Sequence, residues 1–433
     1  MQTKINVSTK KTPANVLLNR NFMLLFYGKI ISQLGDQVCG FALGWFVLDI
    51  TKSSLQMASF LAIDNLVIAL VAPFGGIIAD RLNRKKIMVW MDAVRGIVVL
   101  LIAFLLYNHM LQIWMLYVGG IFLGFCGSVF GPAAGAIIPN IVTEEQLTQA
   151  TSLNNFTGSF CSAAGLLVSG VLYNLIGVSG IFMINAISYF ISGFMAAKVS
   201  MPVVEKAPPS GKLSFVLSVQ KTLQDLQEGF RYIIENKLLF KLSVFNALFS
   251  IVAFPVILVF YPYIFKVILK AEPFQLAVAQ ASGWISIFMS SLVAPLFLKR
   301  IKFRTSICVA LVTCCICQLL IAVVLLPSLL PLFTNWQITA IFTILGLILG
   351  VAMPLIFIPL TVLFQKYTLD QYRGRFWGIQ SSLTTAAMPL GYLIAGFLAQ
   401  RVSMTLLFVG VAVIMFIIAL WIVNVKEVRA LEE

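Results

Sequence analysis

Ten residues join the second and third apolar segments of this 433-residue chain and read Gly76-Ile77-Ile78-Ala79-Asp80-Arg81-Leu82-Asn83-Arg84-Lys85. A glycine at the end of a membrane helix allows a neighbouring helix to approach closely. The carboxylate of Asp80 suits the positive N-terminal end of another helix. We therefore interpret Gly76, Asp80, Arg81, Arg84 and Lys85 as a gating loop that breaks and re-forms between two discrete states. A loop anchored only by its basic residues is the alternative, and it leaves Asp80 unexplained.

The composition around this loop is typical of a membrane protein. Apolar residues make up 60% of the chain and charged residues 11%, whereas soluble domains contain about 45–50% and about 25%. These proportions exclude a soluble enzyme, a disordered regulator and a disulfide-stapled secreted module. The net charge is +14, but binding of nucleic acid would need an exposed basic surface on a soluble fold, so we expect no such partner.

The apolar segments predict twelve membrane-spanning helices, because a bilayer core about 30 Å thick requires about 20 apolar residues per helix. The predicted spans cover about residues 22–48, 55–79, 87–107, 112–136, 153–175, 179–198, 239–265, 274–298, 304–326, 336–362, 376–399 and 403–424. We expect an all-α fold of two pseudo-symmetric six-helix bundles. The predicted domains are residues 1–198 for the first bundle, 199–238 for a linker and 239–433 for the second bundle.

The distribution of cations predicts the orientation of these spans. Of the 30 Lys and Arg residues, 24 lie in the two tails and in the even-numbered connections, and only four lie on the opposite side. Cytoplasmic loops carry the excess of Lys and Arg. Both termini are therefore expected in the cytoplasm, with the chain in a plasma membrane, here a bacterial inner or cytoplasmic membrane.

The linker contains a predicted amphipathic helix at residues 213–236. Its apolar residues recur every three or four positions, namely Phe215, Val219, Leu223, Leu226 and Phe230. Such a helix is expected to lie along the membrane interface, and a plain tether is the alternative.

Five ionisable residues lie inside the first three spans, where charge is costly and indicates function. Lys29, Gln33 and Asp36 share one face of the first span, because they are four and seven residues apart. Asp36 and Asp64 lie deep in their spans, where burial favours the protonated carboxyl group. We interpret these two as proton-coupling or substrate-cation residues, with a helix–helix hydrogen bond as the alternative for each.

The third span adds a second pair of buried charges. Asp92 and Arg95 lie one turn apart near the cytoplasmic end of this span, and we expect a structural pair there. No acidic residue occurs in the last six spans. A titrating carboxylate is therefore expected in the first bundle.

Small residues form stripes along the fourth and fifth spans, which predicts tight helix packing. The glycines of these stripes are Gly124, Gly127, Gly131, Gly135, Gly158 and Gly165. All seven cysteines lie in apolar segments, and the cluster Cys314-Cys315-Ile316-Cys317 has no His or carboxylate near it in sequence. We interpret them as small packing residues and expect no metal site.

Several motifs together resemble the major facilitator superfamily, and more narrowly its third drug:proton antiporter branch, which includes macrolide-efflux proteins. The motifs are Ser32-Gln33-Leu34-Gly35-Asp36-Gln37, Ala79-Asp80-Arg81, Asp92-Ala93-Val94-Arg95, Phe130-Gly131-Pro132-Ala133 and Ile138-Pro139. The resemblance implies proton-driven export of a lipophilic compound. It departs from larger drug-antiporter branches in that the fourth span has no charged residue and the fifth has no Gly-Pro pair.

The leading functional hypothesis is proton-coupled efflux of macrolide-like or other lipophilic drugs by alternating access. We expect a lipophilic substrate, protons and the lipid bilayer as partners, a monomer, no cofactor and no enzymatic activity. One alternative is an exporter of a native metabolite such as a siderophore, peptide or lysolipid. Another is a membrane sensor or scaffold. ATP-driven transport is not expected, because the chain has no Gly-x-x-x-x-Gly-Lys-Ser/Thr phosphate loop.

Overall fold

The computed structural model describes residues 16–200, 215–298 and 301–429, and within these ranges it contains helices and no strand. The long helices are α1 (Arg20–Thr51), α2 (Ser54–Arg81), α3 (Arg84–Tyr107), α4 (Ile113–Ile137), α5 (Glu144–Lys198), α6 (Phe215–Glu235), α7 (Lys237–Ile268), α8 (Pro273–Leu298), α9 (Phe303–Val324), α10 (Asn335–Tyr367), α11 (Arg373–Ala399) and α12 (Met404–Asn424). A four-residue helix, Lys426–Arg429, follows α12. Two turns of α7, Val256–Phe260 and Ile264–Ile268, widen to π-helix, beside prolines that remove backbone donors.

Helix α5 crosses the membrane twice. Its 55 residues would measure about 80 Å as a straight helix, and Gly177 interrupts it with a φ of 65°. Asn154 bonds Lys29 of α1, while Ser192 lies 3.5 Å from the Cβ position of the adjacent Gly28. These two α5 residues would stand about 57 Å apart in a straight helix. The arms 144–176 and 178–198 therefore fold back on one another along α1.

The helices make twelve membrane crossings in two six-helix bundles, which confirms the predicted fold. Ten helices of the described chain are long and apolar enough to span a membrane by composition alone, and α5 is one of them. Its two arms raise the number to eleven. Helix α1 supplies the twelfth crossing, with 32 residues and polar side chains at Lys29, Gln33 and Asp36 in its interior.

The two bundles are joined at the side opposite the chain termini, which we call the far side. The Ser54 hydroxyl of α2 donates to the backbone oxygen of Gly396 in α11 at 2.8 Å. Asp49 at the end of α1 pairs with Lys266 of α7 at 2.7 Å, and Lys266 lies 4.8 Å from the centre of the Trp45 ring. These contacts tie α1 and α2 of the first bundle to α7 and α11 of the second.

The linker helix α6 docks on the second bundle through acidic residues. Arg375 of α11 bonds Asp225 at 2.6 Å and Glu228 at 2.7 Å, and Gly229 packs against Ile379. Phe230, expected on the apolar face, is 51% exposed. Leu226, also on the predicted apolar face, is half-buried and packs against the core. Contact with α11 therefore adds acidic residues to the apolar positions that were predicted. The side chains of Phe215, Val219 and Leu223 lie outside the described residues.

The prediction that the small residues pack tightly needs a correction, because the described residues place close neighbours at only two of the six glycines. A Cβ atom at Gly124 would lie 3.1 Å from the Asp64 backbone oxygen, and one at Gly165 would lie 2.5 Å from Gln37. Among the described residues no atom lies within 4 Å of the Cβ positions of the others, which are Gly127, Gly131, Gly135 and Gly158. A methyl group at these four positions would therefore meet no neighbouring helix in the part of the chain that the structure describes.

The gating-loop glycine needs a similar correction. Among the described residues nothing lies within 4 Å of the Cβ position of Gly76. The close approach occurs one residue earlier, because a Cβ atom at Gly75 would overlap the backbone oxygen of Ser128 in α4. Adjacent positions on a helix point about 100° apart, so only one of these two glycines can face α4.

Candidate functional site

Asp36 of α1 lies against the second arm of α5, where the Tyr189 hydroxyl donates a hydrogen bond to its carboxylate. A glycine makes this approach possible. A Cβ atom at Gly35 would collide with the side chains of Asn185 and Ser188 on the same arm. The sequence Gly35-Asp36 therefore brings a buried carboxylate within reach of a tyrosine that is 153 residues away in the chain.

Arg95 of α3 lies next to this contact and is held by an acid and two aromatic rings. It pairs with Asp92 at 2.7 Å, and the side chains of the two residues are 8% and 0% exposed. Its guanidinium carbon lies 4.3 Å from the centre of the Phe130 ring and 4.8 Å from that of Tyr189. Cation–π contacts of this kind gain strength away from water. Arg95 is therefore fixed between α3, α4 and α5.

Tyr189 connects the two sets of charges. Its hydroxyl contacts Asp36, and its ring contacts Arg95, which in turn pairs with Asp92. We call Asp36, Tyr189, Arg95 and Asp92 the charge cluster. The second carboxylate oxygen of Asp92 is buried without a hydrogen-bond partner among the described residues. With Arg95 and Asp92 charged, the cluster is neutral when Asp36 holds a proton and carries one negative charge when it does not.

The other predicted polar residues of the first bundle lie beside the cluster rather than in it. The Lys29 ammonium donates to the side-chain oxygen of Asn154 at 2.6 Å. The side-chain oxygen of Gln33, one turn further along α1, is buried without a partner among the described residues. Asp64 of α2 lies within electrostatic range of Asp36 and of Tyr392 in α11.

An apolar cavity of about 190 Å³ lies between the two bundles. Residues of both bundles line it, namely Gln37, Gly40, Phe41, Gly44, Trp45, Met57, Leu61 and Leu166 from the first and Leu258, Pro262, Leu276 and Gln280 from the second. Only Gln37 and Gln280 are polar. Gln280 donates to the backbone oxygen of Ile257 at 2.7 Å, within the first π-helical turn of α7. Apolar walls with a few polar groups suit a lipophilic ligand.

The described cations of the gating loop bind helix ends inside the first bundle. Arg84 donates to the backbone oxygen of Ala136 near the end of α4, and Lys85 donates to that of Val199 just after α5, each at 2.8 Å. Cations stabilise the C-terminal ends of helices, where carbonyl groups lack partners. The side chains of Asp80 and Arg81 lie outside the described residues. Their contacts across the bundles therefore stay a prediction.

Sequence reasoning missed Tyr189 and Asn154, although a signal for Tyr189 was present. Asn185, Ser188, Tyr189 and Ser192 recur at helical spacing in an apolar segment, so they form a polar stripe on one face. That stripe indicates a polar neighbour without saying which helix provides it. Asn154 sits among other polar residues near the start of α5, where nothing in the sequence distinguishes it.

Comparisons with known proteins agree with this arrangement. The sequence profile of the Major Facilitator Superfamily matches residues 25–340. Macrolide efflux protein A of Streptococcus pyogenes is 26% identical over 420 residues, which cover 95% of this chain and 98% of that protein. An uncharacterised MFS-type transporter of Bacillus subtilis, YkuC, is 30% identical over 232 residues, 52% of each chain.

Solved transporter structures share the fold at low sequence identity. A bacterial homologue of the iron transporter ferroportin, in an inward-facing state, superposes with a TM-score of 0.71 at 16% identity, covering 94% of this chain and 99% of the other. The nucleoside transporter NupG gives a TM-score of 0.70 at 13% identity, with coverages of 93% and 98%. With a family profile over most of its length and twelve membrane crossings in two bundles, the chain belongs to the Major Facilitator Superfamily and is a membrane transporter, not an enzyme.

Proposed function

We propose that this transporter exports macrolide-like or other lipophilic drugs across the plasma membrane in exchange for protons, by alternating access. The full-length similarity to a macrolide efflux protein supports drug export. The apolar cavity between the bundles supports a lipophilic substrate, because its walls offer only two amide side chains for polar contact. The transporter works as a monomer, since one chain contains both bundles.

The observation that carries proton coupling is the contact between Asp36 and Tyr189 beside Arg95. A carboxylate inside a membrane bundle is costly to keep charged, and the hydroxyl and the nearby guanidinium reduce that cost without removing it. Asp36 can therefore both take up and release a proton. Protonation makes the charge cluster neutral. A neutral cluster costs less free energy when the transporter passes through a closed, water-free intermediate between its two access states.

Asp64 is proposed as a second coupling residue or as a partner for a cationic substrate group. Its electrostatic proximity to Asp36 and to Tyr392 of α11 supports a role near the bundle interface. Drug and proton would then compete for the same carboxylates. An inward proton is driven by about 2.3 kcal/mol per charge for each 100 mV of membrane potential.

The excess of basic residues on the side of the termini supports a cytoplasmic location for both ends of the chain. In this orientation the far side faces the cell exterior. The contacts of Ser54 with Gly396 and of Asp49 with Lys266 would then close the external entrance. Export requires that these contacts break when the two bundles rock against each other and open the far side.

The test is erythromycin accumulation in cells that express the wild type or the variants Asp36→Asn, Asp64→Asn and Asp80→Asn, with and without an uncoupler. Asp370→Asn is the matched control, because Asp370 is 87% exposed and pairs at the surface with Arg373, its one ion-pair partner among the described residues. We expect the wild type and the control to lower accumulation several-fold, and the uncoupler to abolish that difference. Asp36→Asn and Asp64→Asn should each accumulate the drug like cells without the transporter.

Two results would contradict this proposal. Equal drug exclusion with and without the proton gradient would rule out proton coupling. Full export by both Asp36→Asn and Asp64→Asn would show that neither carboxylate is required, and the coupling site would have to lie elsewhere.

A further inference from the structure

Lys29 is a cation inside the first bundle that has only a neutral partner. It lies nine residues into α1, and its ammonium bonds the amide oxygen of Asn154 at 2.6 Å. No carboxylate of the described chain lies within ion-pair distance of it. A charged Lys inside a membrane bundle is costly, and one amide oxygen offsets only part of that cost.

The nearby acids are already engaged. Asp92 pairs with Arg95 at 2.7 Å, and Asp36 accepts the hydrogen bond of Tyr189. Asp36 also lies two helical turns from Lys29 along α1, a rise of about 10 Å. In the part of the chain that the structure describes, neither Asp36 nor Asp92 therefore neutralises the charge of Lys29.

Lys29 and Asn154 border a small cavity of about 30 Å³. Its remaining walls are mostly apolar, and they include Phe22, Phe26, Phe130 and Met88. A single water needs about 10–15 Å³ of such space, so the cavity has room for a group of two oxygen atoms but not for a whole drug. The amide oxygen of Asn154 is used by Lys29, and its amide nitrogen forms no hydrogen bond among the described residues. Two donors, one of them charged, therefore face one small space.

We infer that Lys29 and Asn154 bind the carboxylate of an acidic amphiphile. The inference rests on the proposed export function and adds acidic compounds to the lipophilic substrates proposed for it. A carboxylate fits because the ammonium and the amide nitrogen can each bond one of its oxygens, and charge-assisted bonds are the stronger kind. Neutral and cationic compounds can use the apolar cavity of the interface but gain nothing from Lys29.

The experiment uses the purified full chain and two fluorescent probes that differ only in the acid group, 11-(dansylamino)undecanoic acid and its methyl ester. Binding of each is followed by dansyl emission in the wild type, Lys29→Met, Lys29→Arg and Lys270→Met. Lys270→Met is the control, since this lysine is exposed at the far end of α7. Binding of the ester by Lys29→Met reports whether that variant is folded.

We expect the wild type and Lys270→Met to bind the acid about tenfold more tightly than the ester, the size of one charge-assisted hydrogen bond. Lys29→Met should lose this preference for the acid and keep its affinity for the ester. Lys29→Arg should retain most of the preference for the acid. Equal affinity of the wild type for acid and ester would overturn the inference, as would an unchanged preference in Lys29→Met. Either result leaves drug export itself untouched, because erythromycin accumulation tests that separately.

Discussion

Tyr189 contacts groups of opposite charge at its two ends, and this position predicts a measurable effect on transport. Its hydroxyl donates to Asp36 and its ring lies 4.8 Å from the Arg95 guanidinium carbon. A hydrogen bond to a charged group contributes about 1.5–3 kcal/mol, which corresponds to about one to two pH units. Removing the hydroxyl in Tyr189→Phe disfavours the charged form of Asp36 relative to its protonated form. The pH of half-maximal drug export should therefore rise by about that amount in proteoliposomes.

Tyr261→Phe is the matched control for this prediction. Tyr261 of α7 is also buried, but its hydroxyl has no hydrogen-bond partner among the described residues, and its ring packs edge-on against Phe342. The variant should keep the wild-type pH profile. An unchanged profile in Tyr189→Phe as well would mean that Tyr189 only fills space.

At the scale of residues, the sequence identifies the charged side chains that are costly to place in a membrane, but not their partners. Lys29, Asp36 and Arg95 stand out because charges are rare in apolar segments. Their contacts with Asn154 and Tyr189 depend on how the arms of α5 fold along α1. Helical spacing relates residues a few positions apart, so it cannot identify a partner more than 100 residues away.

At the scale of helices, the neighbouring glycines of α2 offer a matched pair of variants. A Cβ atom at Gly75 would overlap the Ser128 backbone oxygen, whereas nothing described lies within 4 Å of that position at Gly76. Gly75→Ala should therefore destabilise the first bundle by about 1–3 kcal/mol, the usual cost of overpacking. Gly76→Ala should be neutral or stabilising by up to about 1 kcal/mol, because alanine favours helix.

Thermal unfolding followed by intrinsic tryptophan fluorescence measures the difference between these glycine variants. The opposite order, with Gly76→Ala the less stable protein, would place a close neighbour of Gly76 among residues that the structure does not describe. In that case the original interpretation of Gly76 as a packing residue would stand.

The positions of the helices follow from the sequence more closely than their contacts do. Span lengths are set by bilayer thickness, and the predicted break between residues 175 and 179 coincides with the turn at Gly177. The ion pairs of Asp225 and Glu228 in α6 with Arg375 of α11 were not predicted, because these residues are far apart in the sequence. Amphipathic spacing indicates that a helix has two faces, and it does not identify the neighbour of each.

At the scale of the whole molecule, sequence supplies two bundles and a count of crossings, whereas the structure adds the side on which they are joined. The far-side contacts combine a hydrogen bond from Ser54 with an ion pair between Asp49 and Lys266. None of these residues forms a recognisable motif. Their pairing depends on the relative position of two bundles, and the apolar pattern of each bundle is compatible with more than one such position.

Alternating access predicts that Gly396 is required for closure of the far side. A Cβ atom there would lie 2.5 Å from that of Ala58, 2.9 Å from the Ser54 backbone oxygen and 3.0 Å from the Cα atom of Leu55. Gly396→Ala should hold α2 and α11 apart on this side and lower drug export several-fold. In the same variant, a cysteine introduced at Met57, which is 1% exposed in the closed arrangement, should react several-fold faster with a membrane-impermeant maleimide added to the far side.

Gly410→Ala is the control, because nothing described lies within 4 Å of its Cβ position on α12. If labelling at position 57 stays slow in Gly396→Ala while export falls, the variant disturbs local packing and does not change the balance between the two access states.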